Sequence, residues 1–225
     1  MDGRLECILS HVHAKVLADI GCDHGKVAVY AVLRGLAKKS IAADISEECL
    51  KKARALAKEK GAGSVEFRVG DGMRVLKENE ADNVVIAGMG GREIAKILSE
   101  APAMDAKFIL VPHDDAPLLR AYLAKCGYEK SSDKIVRSGG KFYPVIVCKK
   151  GGAAYTPALE ELLYGTSPSD GDCTAYAKQR LAVLERICAS IKEGDARSEE
   201  PARQLEATRA LLGRAYESKG RNQNN

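Results

Sequence analysis

Short apolar runs and amphipathic stretches alternate along residues 1–150. Val16–Gly21, Ser40–Asp44, Val65–Val69, Asn83–Ala87 and Lys107–Val111 predict five strands. Between them, apolar positions recur at helical spacing. Residues 4–16 place Leu5, Ile8, Leu9 and Val12 on one face, and Lys26–Leu36 predicts a second helix. Ser46 is a good N-cap for a third, with Glu47 and Glu48 in its first turn, ending near Lys60 at Gly61-Ala62-Gly63. A short helix at Met73–Lys77 and longer ones at Arg92–Leu98 and Ala116–Cys126 follow, the last with Pro117 in its first turn. Lys134–Arg137 and Phe142–Cys148, joined by Ser138-Gly139-Gly140-Lys141, predict an antiparallel hairpin. Such alternation argues a parallel sheet covered by helices on both faces. Val84–Ala87 is apolar on both faces, as a central strand should be. The closing hairpin adds one antiparallel strand.

Beyond Gly151-Gly152 the strand pattern stops. Thr156-Pro157 starts a short helix, and residues 165–171 read as a loop. From Thr174 to Lys192, Leu181, Leu184, Ile187, Cys188 and Ile191 form an apolar stripe. From Ser198 to Lys219, Leu205, Leu211, Leu212 and Tyr216 form another, with Gly194 and Asp195 in the turn between them. The expected unit is an antiparallel, coiled-coil-like helical hairpin. Its polar faces carry Lys178, Arg180, Arg186, Lys192, Arg203, Arg209 and Arg214 among glutamates, and residues 219–225 are expected to be disordered. The fold class is therefore α/β with an appended helical hairpin, divided into residues 1–150 and 151–225.

Composition narrows the setting. The formal charge of +4 permits an RNA partner without demanding one. The seven cysteines are scattered and none forms C-x-x-C, so neither a disulfide framework nor a metal site is expected. With no signal core and no run of membrane-spanning length, the chain is expected to be cytoplasmic.

The strand ends carry the chemistry. The first strand runs into Gly21-Cys22-Asp23-His24-Gly25 and the second stops at Asp44-Ile45. A glycine turn followed by an acid at the next strand end is how such folds hold a nucleoside cofactor. The dinucleotide fingerprint would want glycine at 21, 23 and 26, where the chain has Gly21, Asp23 and Lys26. Asp23 would repel a pyrophosphate. Asp19 and Asp23 suit S-adenosyl-L-methionine, which presents a sulfonium and an amino group there. Asp23 also reads as a simple helix N-cap, and Asp44 either as a ribose ligand or as a cap. Gly70-Asp71-Gly72 closes the third strand, where a carboxylate can accept from an adenine amino group. Ala87-Gly88-Met89-Gly90-Gly91 closes the fourth, either as a surface for a flat base or as a tight turn. Pro112-His113-Asp114-Asp115 closes the fifth and makes the other wall, although His113 taken alone reads first as a surface histidine.

D-I-G-C-D-H-G at 19–25, G-D-G at 70–72, A-G-M-G-G at 87–91 and G-K-F-Y-P-V-I-V at 140–147 resemble the bacterial tRNA adenine-N1 methyltransferases acting at tRNA position 22. The resemblance implies a Rossmann-like class I methyltransferase domain joined to a helical coiled-coil domain, S-adenosyl-L-methionine as cofactor and tRNA as partner. It implies cofactor contacts from Asp19, Gly21, Asp23, His24, Asp44, Ile45, Gly70, Asp71, Gly72 and Ala87. Gly88, Met89 and Gly90, with Pro112 and His113, would face the target base. Val111-Pro112-His113 stands where that family often has Q-P-N.

The residues leave two rivals: a NAD-linked oxidoreductase, disfavoured by the fingerprint mismatch and the hairpin, and a non-enzymatic interaction module. Arg4, Lys26, Arg92 and Arg120 are the expected phosphate contacts near the cleft. A monomer is expected, with a weak homodimer as the alternative.

Overall fold

Strand by strand, alternate side chains sort the core into two layers. The structure, a computed structural model, describes residues 2–166, 170–191 and 196–222. Its seven strands are β1 (Ala14–Ile20), β2 (Ala37–Asp44), β3 (Val65–Val69), β4 (Asn83–Ala87), β5 (Lys107–Val111), β6 (Tyr128–Ser138) and β7 (Lys141–Lys150). They form one sheet in the order β3-β2-β1-β4-β5-β7-β6. Neighbours from β3 to β5 are parallel, and β7 is antiparallel to both β5 and β6.

The helices are α1 (Gly3–Ser10), α2 (Lys26–Leu33), α3 (Glu47–Lys60), α4 (Gly91–Ser99), α5 (Ala116–Lys125), α6 (Leu159–Tyr164), α7 (Gly171–Ser190) and α8 (Glu199–Asn222). Val84, Ile86, Phe108, Leu110 and Ile146 face one side and pack on Ile94 and Leu98 of α4 and Leu119 and Leu123 of α5. Val85, Ile109, Val111, Val145 and Val147 face the other and pack on Leu5, Ile8 and Leu9 of α1 and Val27 of α2. This two-residue period, buried on both faces, is why those strands read as continuous apolar runs.

Several expected bounds move. The first helix stops at Ser10 because the chain from Ala14 already pairs with Ala37 of β2. The second stops at Leu33, and β2 begins at Ala37 instead of Ser40. The expected helix at Met73–Lys77 is a single 3-10 turn, Gly72–Val75. The hairpin strands are far longer than their apolar cores, because edge pairing continues through polar residues to Tyr128 and Lys150.

The C-terminal helices sit against β6. Ile135 packs with Leu163 and Tyr164 of α6, Cys173 and Ala177 of α7, and Leu211 and Leu212 of α8. The first half of α7 thus meets the second half of α8, so the two run antiparallel. Beneath them a buried ion pair joins the layers. Arg120 of α5 donates Nε–H and Nη2–H to the two Asp133 oxygens at 2.8 and 2.7 Å, and Nη1–H to the Leu162 carbonyl at 2.9 Å. Arg120 is fully buried, so it is not the phosphate contact expected from the sequence. Residues 219–222, expected to be disordered, continue α8. Gly194, Asp195, Lys192 and residues 223–225 lie outside the described residues. Among the described residues, no helix is long and apolar enough to cross a membrane.

Candidate active site

The carboxyl ends of β1, β2, β3 and β4 open into one cavity of about 690 Å3. Asp19, Gly21, Asp23, His24, Asp44, Ile45, Gly70, Asp71, Gly72, Ala87, Gly88 and Met89 all line it. Thus the carboxylates expected on separate strand ends share one pocket.

Backbone hydrogen bonds tie these ends together. Gly21 and Cys22 both donate N–H to the Ala43 carbonyl, at 2.8 and 3.0 Å, so the first turn bends across the end of β2. Gly70 N–H donates to the Asp44 carbonyl at 3.0 Å, joining β3 to the same point. Asp44 accepts from Asp23 N–H at 3.0 Å and from Ser46 N–H at 2.9 Å. Its cap-like role and its place in the cavity therefore coexist, since each carboxylate oxygen has two lone pairs. Gly21 adopts φ +68°, and a Cβ there would collide with Met89 Cε. Met89 thus lies across the first turn from the opposite strand end.

The acids differ in setting. Asp19 is 3% exposed and accepts from Ala28 N–H at 3.1 Å. Burial lifts its carboxyl to about 7, against that hydrogen bond and with help from Asp44. Burial likewise drives the Cys22 thiol far above its usual range, with Asp19 and Asp44 adding to the effect. Asp23 is mostly exposed and pairs with His24 Nδ1 at 2.7 Å. Partial burial would raise its carboxyl, but the His24 bond and charge outweigh it and hold it below the ordinary value. Asp71 meets Arg74 at 3.1 Å and is about half exposed.

The other five expected residues are divided. Gly88 and Met89 line the large cavity, whereas Pro112 and His113 line a second one of about 380 Å3 between β5 and the C-terminal helices. Gly90 is not among the residues lining either cavity. A Cβ on Gly90 would stand 2.6 Å from Asp114 Oδ1, and one on Gly91 would collide with the Asp115 carbonyl. This part of the glycine run therefore serves close loop packing, the tight-turn alternative read from the sequence. Three hydrogen bonds hold the two loops: Gly88 N–H to Val111 O (3.2 Å), His113 N–H to Met89 O (3.0 Å) and Gly91 N–H to Asp114 O (3.0 Å).

The structure adds a wall that sequence reasoning did not assign. Asp2, Leu5 and Ile8 of the N-terminal segment, with Tyr30 and Glu93, also line the large cavity. Arg4 and Lys26, expected as phosphate contacts, line it too. Arg4 lies over the Tyr143 ring at 4.9 Å. The apolar spacing of α1 signalled only burial, because a helix that covers a sheet and one that also walls a cavity share the same pattern.

The strand order, with β7 reversed beside β5, is decisive together with one comparison: residues 1–146 match a family described as a methyltransferase domain. The chain belongs to the methyltransferase-domain family. Relatives of this methyltransferase-domain chain point the same way. It is 36% identical over 153 residues to a tRNA (adenine(22)-N(1))-methyltransferase of Bacillus subtilis (strain 168), a match covering 66% of this chain. The match spans 64% of that relative's length. Among solved structures, the B. subtilis m1A22 tRNA methyltransferase TrmK superposes with TM-score 0.83 at 27% identity, covering 94% of this chain and 98% of that one. M. capricolum TrmK, in complex with S-adenosyl-homocysteine, shares the fold with TM-score 0.85 at 20% identity, over 95% of this chain and 98% of that one.

Proposed function

We propose that this chain transfers a methyl group from S-adenosylmethionine to N1 of adenine in tRNA, at position 22. The observation that carries this is the single cavity that gathers Asp19, Asp23, Asp44 and Asp71 and leaves room beside α1. Its volume falls within the ~300–1,000 Å3 typical of small-molecule sites. The name of the B. subtilis relative and the product bound in the M. capricolum structure support the same reading.

The donor set fits the cofactor. Gly21 brings backbone close with no Cβ in the way. Asp44 and Ile45 suit the ribose and one face of the base. Asp71, with Gly70 and Gly72, suits the adenine amino group. Asp19, Asp23 and His24 surround the amino-acid end, where negative charge is useful, and Ala87 completes the floor. When bound, S-adenosylmethionine supplies an electrophilic methyl group on a positive sulfur.

The protein's own work is alignment. Adenine N1 carries a lone pair at neutral pH, so no side chain has to remove a proton. Gly88 and Met89 stand between the cofactor residues and the acceptor wall. Leu5 and Ile8 exclude water there, while Arg4 and Lys26 hold phosphate. Holding the two reactants in line removes much of the entropic barrier. Carboxylates facing the cavity favour the positive base that forms. Pro112 and His113 act as positioning residues, since His113 N–H fixes the Met89 carbonyl. The catalytic unit comprises residues 1–150 and the helical unit the remainder.

The test is incubation with labelled S-adenosylmethionine and total bacterial tRNA, followed by nucleoside mass spectrometry. Labelled 1-methyladenosine is the expected product. Label on another nucleoside would refute the acceptor. Failure to bind S-adenosylhomocysteine by calorimetry would refute the cofactor.

A further inference from the structure

We propose that the second cavity is a subsite for the base of an unpaired nucleotide next to the methyl acceptor in the same RNA strand. This deepens the RNA-methylation reading and rests on it. The cavity, about 380 Å3, lies between the methyltransferase core and the C-terminal helices. Phe142 of β7 and Tyr176 of α7 line it, their rings packed on each other at 5.6 Å and 55°, with Tyr176 also edge-on to Tyr164 at 6.0 Å. Arg180 of α7 lines the same space and is steadied by Gln204 of α8 at 3.1 Å. A guanidinium has five donors in a rigid fork, so one bond to Gln204 leaves the fork able to meet further acceptors. His113 and Asp114, paired at 3.1 Å, complete the opposite side, and the carboxylate keeps lone pairs for exocyclic amino groups. Aromatic faces, a fixed guanidinium and a carboxylate are the combination that binds a splayed base by stacking and by its edge.

Position argues for a neighbouring nucleotide. The β4–α4 loop lines the large cavity, the β5–α5 loop lines the second, and the two loops are hydrogen-bonded to each other. Met89 lines the large cavity, and the His113 that donates to its carbonyl lines the second. Adjacent cavities on either side of hydrogen-bonded loops suit consecutive nucleotides of one strand better than distant ones. The subsite also gives the helical hairpin a direct task, because Tyr176, Arg180 and Gln204 all come from it.

The experiment compares Tyr176→Ala, Tyr176→Phe and Arg180→Gln with the wild type. The readouts are kcat and KM for tRNA, S-adenosylhomocysteine affinity, melting temperature, and fluorescence of tRNA carrying 2-aminopurine beside the acceptor. Loss of one stacked base corresponds to a rise of about tenfold or more in KM for tRNA. Tyr176→Ala and Arg180→Gln are expected to show that rise with unchanged S-adenosylhomocysteine affinity. Tyr176→Phe keeps the ring and should behave as wild type. The probe should be quenched by the wild type and by Tyr176→Phe but not by Tyr176→Ala. An unchanged KM and intact quenching in folded Tyr176→Ala overturn the subsite. Equal losses in the Ala and Phe variants, together with weaker cofactor binding, overturn it too, because they mark a packing role. If the wild type methylates no tRNA, the underlying reading falls, and the quenching comparison still decides the cavity.

Discussion

At the scale of single residues, Asp19 is the most informative group. Its carboxyl is lifted from 3.8 to about 7 by burial, so the folded state favours the protonated form. Its contribution to stability is therefore greatest below its unfolded value near 4, declines as pH rises toward 7, and is level above that. A cation in the cavity reverses the preference and draws the proton off. S-adenosylmethionine affinity is expected to rise as pH climbs toward about 7, with release of a proton mostly through Asp19, and to level off above that. Calorimetry at two pH values in buffers of different ionisation heat measures both quantities. Asp19→Asn should flatten the profile, and a wild-type affinity independent of pH would contradict the assignment. Gly21 gives a second expectation. An alanine at φ +68° meets the left-handed penalty of ~1–2 kcal/mol and also the Met89 methyl. Gly21→Ala should lower stability by more than that backbone cost in urea unfolding and weaken S-adenosylhomocysteine binding. Adding Met89→Ala should relieve the collision and leave the backbone cost.

Among the elements, local signals succeed where the chain's ends are satisfied locally. α3 runs over the expected residues because Ser46 Oγ accepts from Cys49 N–H at 3.3 Å and Gly61 ends the helix in the left-handed region. Ser46→Ala should cost about 1 kcal/mol in the same unfolding assay. β6 is different: its polar length is held from outside. Asp133 on that strand is fully buried beside Arg120, while Leu162 of α6 takes another guanidinium bond. Removing one partner of such a buried pair costs ~3–5 kcal/mol, and here Lys130 Nζ, 3.6 Å from Asp133, leaves the carboxylate one cation, so the lower end applies. Arg120→Ala should show that loss by urea unfolding. Arg120→Met with Asp133→Leu should recover most of it, and equal losses in both would mean that the charges matter beyond their pairing. Nothing local distinguishes Arg120 from the exposed arginines, which is why the sequence placed it beside the cleft.

For the whole molecule, the proposed substrate is a polyanion, and the protein meets it with a mildly basic surface. Binding of tRNA should weaken linearly in log K against log salt. Arg4→Ala and Lys26→Ala should each reduce the slope by about one phosphate contact while leaving S-adenosylhomocysteine affinity unchanged. Fluorescence anisotropy across a salt series measures this, and an unaltered slope would remove these two residues from the RNA path. Arg209 and Arg214 already face Glu185 and Glu160, so much of the hairpin's positive charge is met within the fold. That pairing is the physical reason why a count of basic residues overstates the nucleic-acid surface.

From residue order alone came the alternation of strands and helices, the closing hairpin and the acids at the first three strand ends. These follow from apolar periodicity, glycine turns and caps, which are properties of neighbouring residues. Tertiary structure alone decided that α1 walls the large cavity, that Gly90 and Gly91 serve loop packing, that Pro112 and His113 face a separate cavity, and that Arg120 is buried. Each of these depends on which distant backbone comes to lie a few ångströms away, and chain-local spacing carries no record of that.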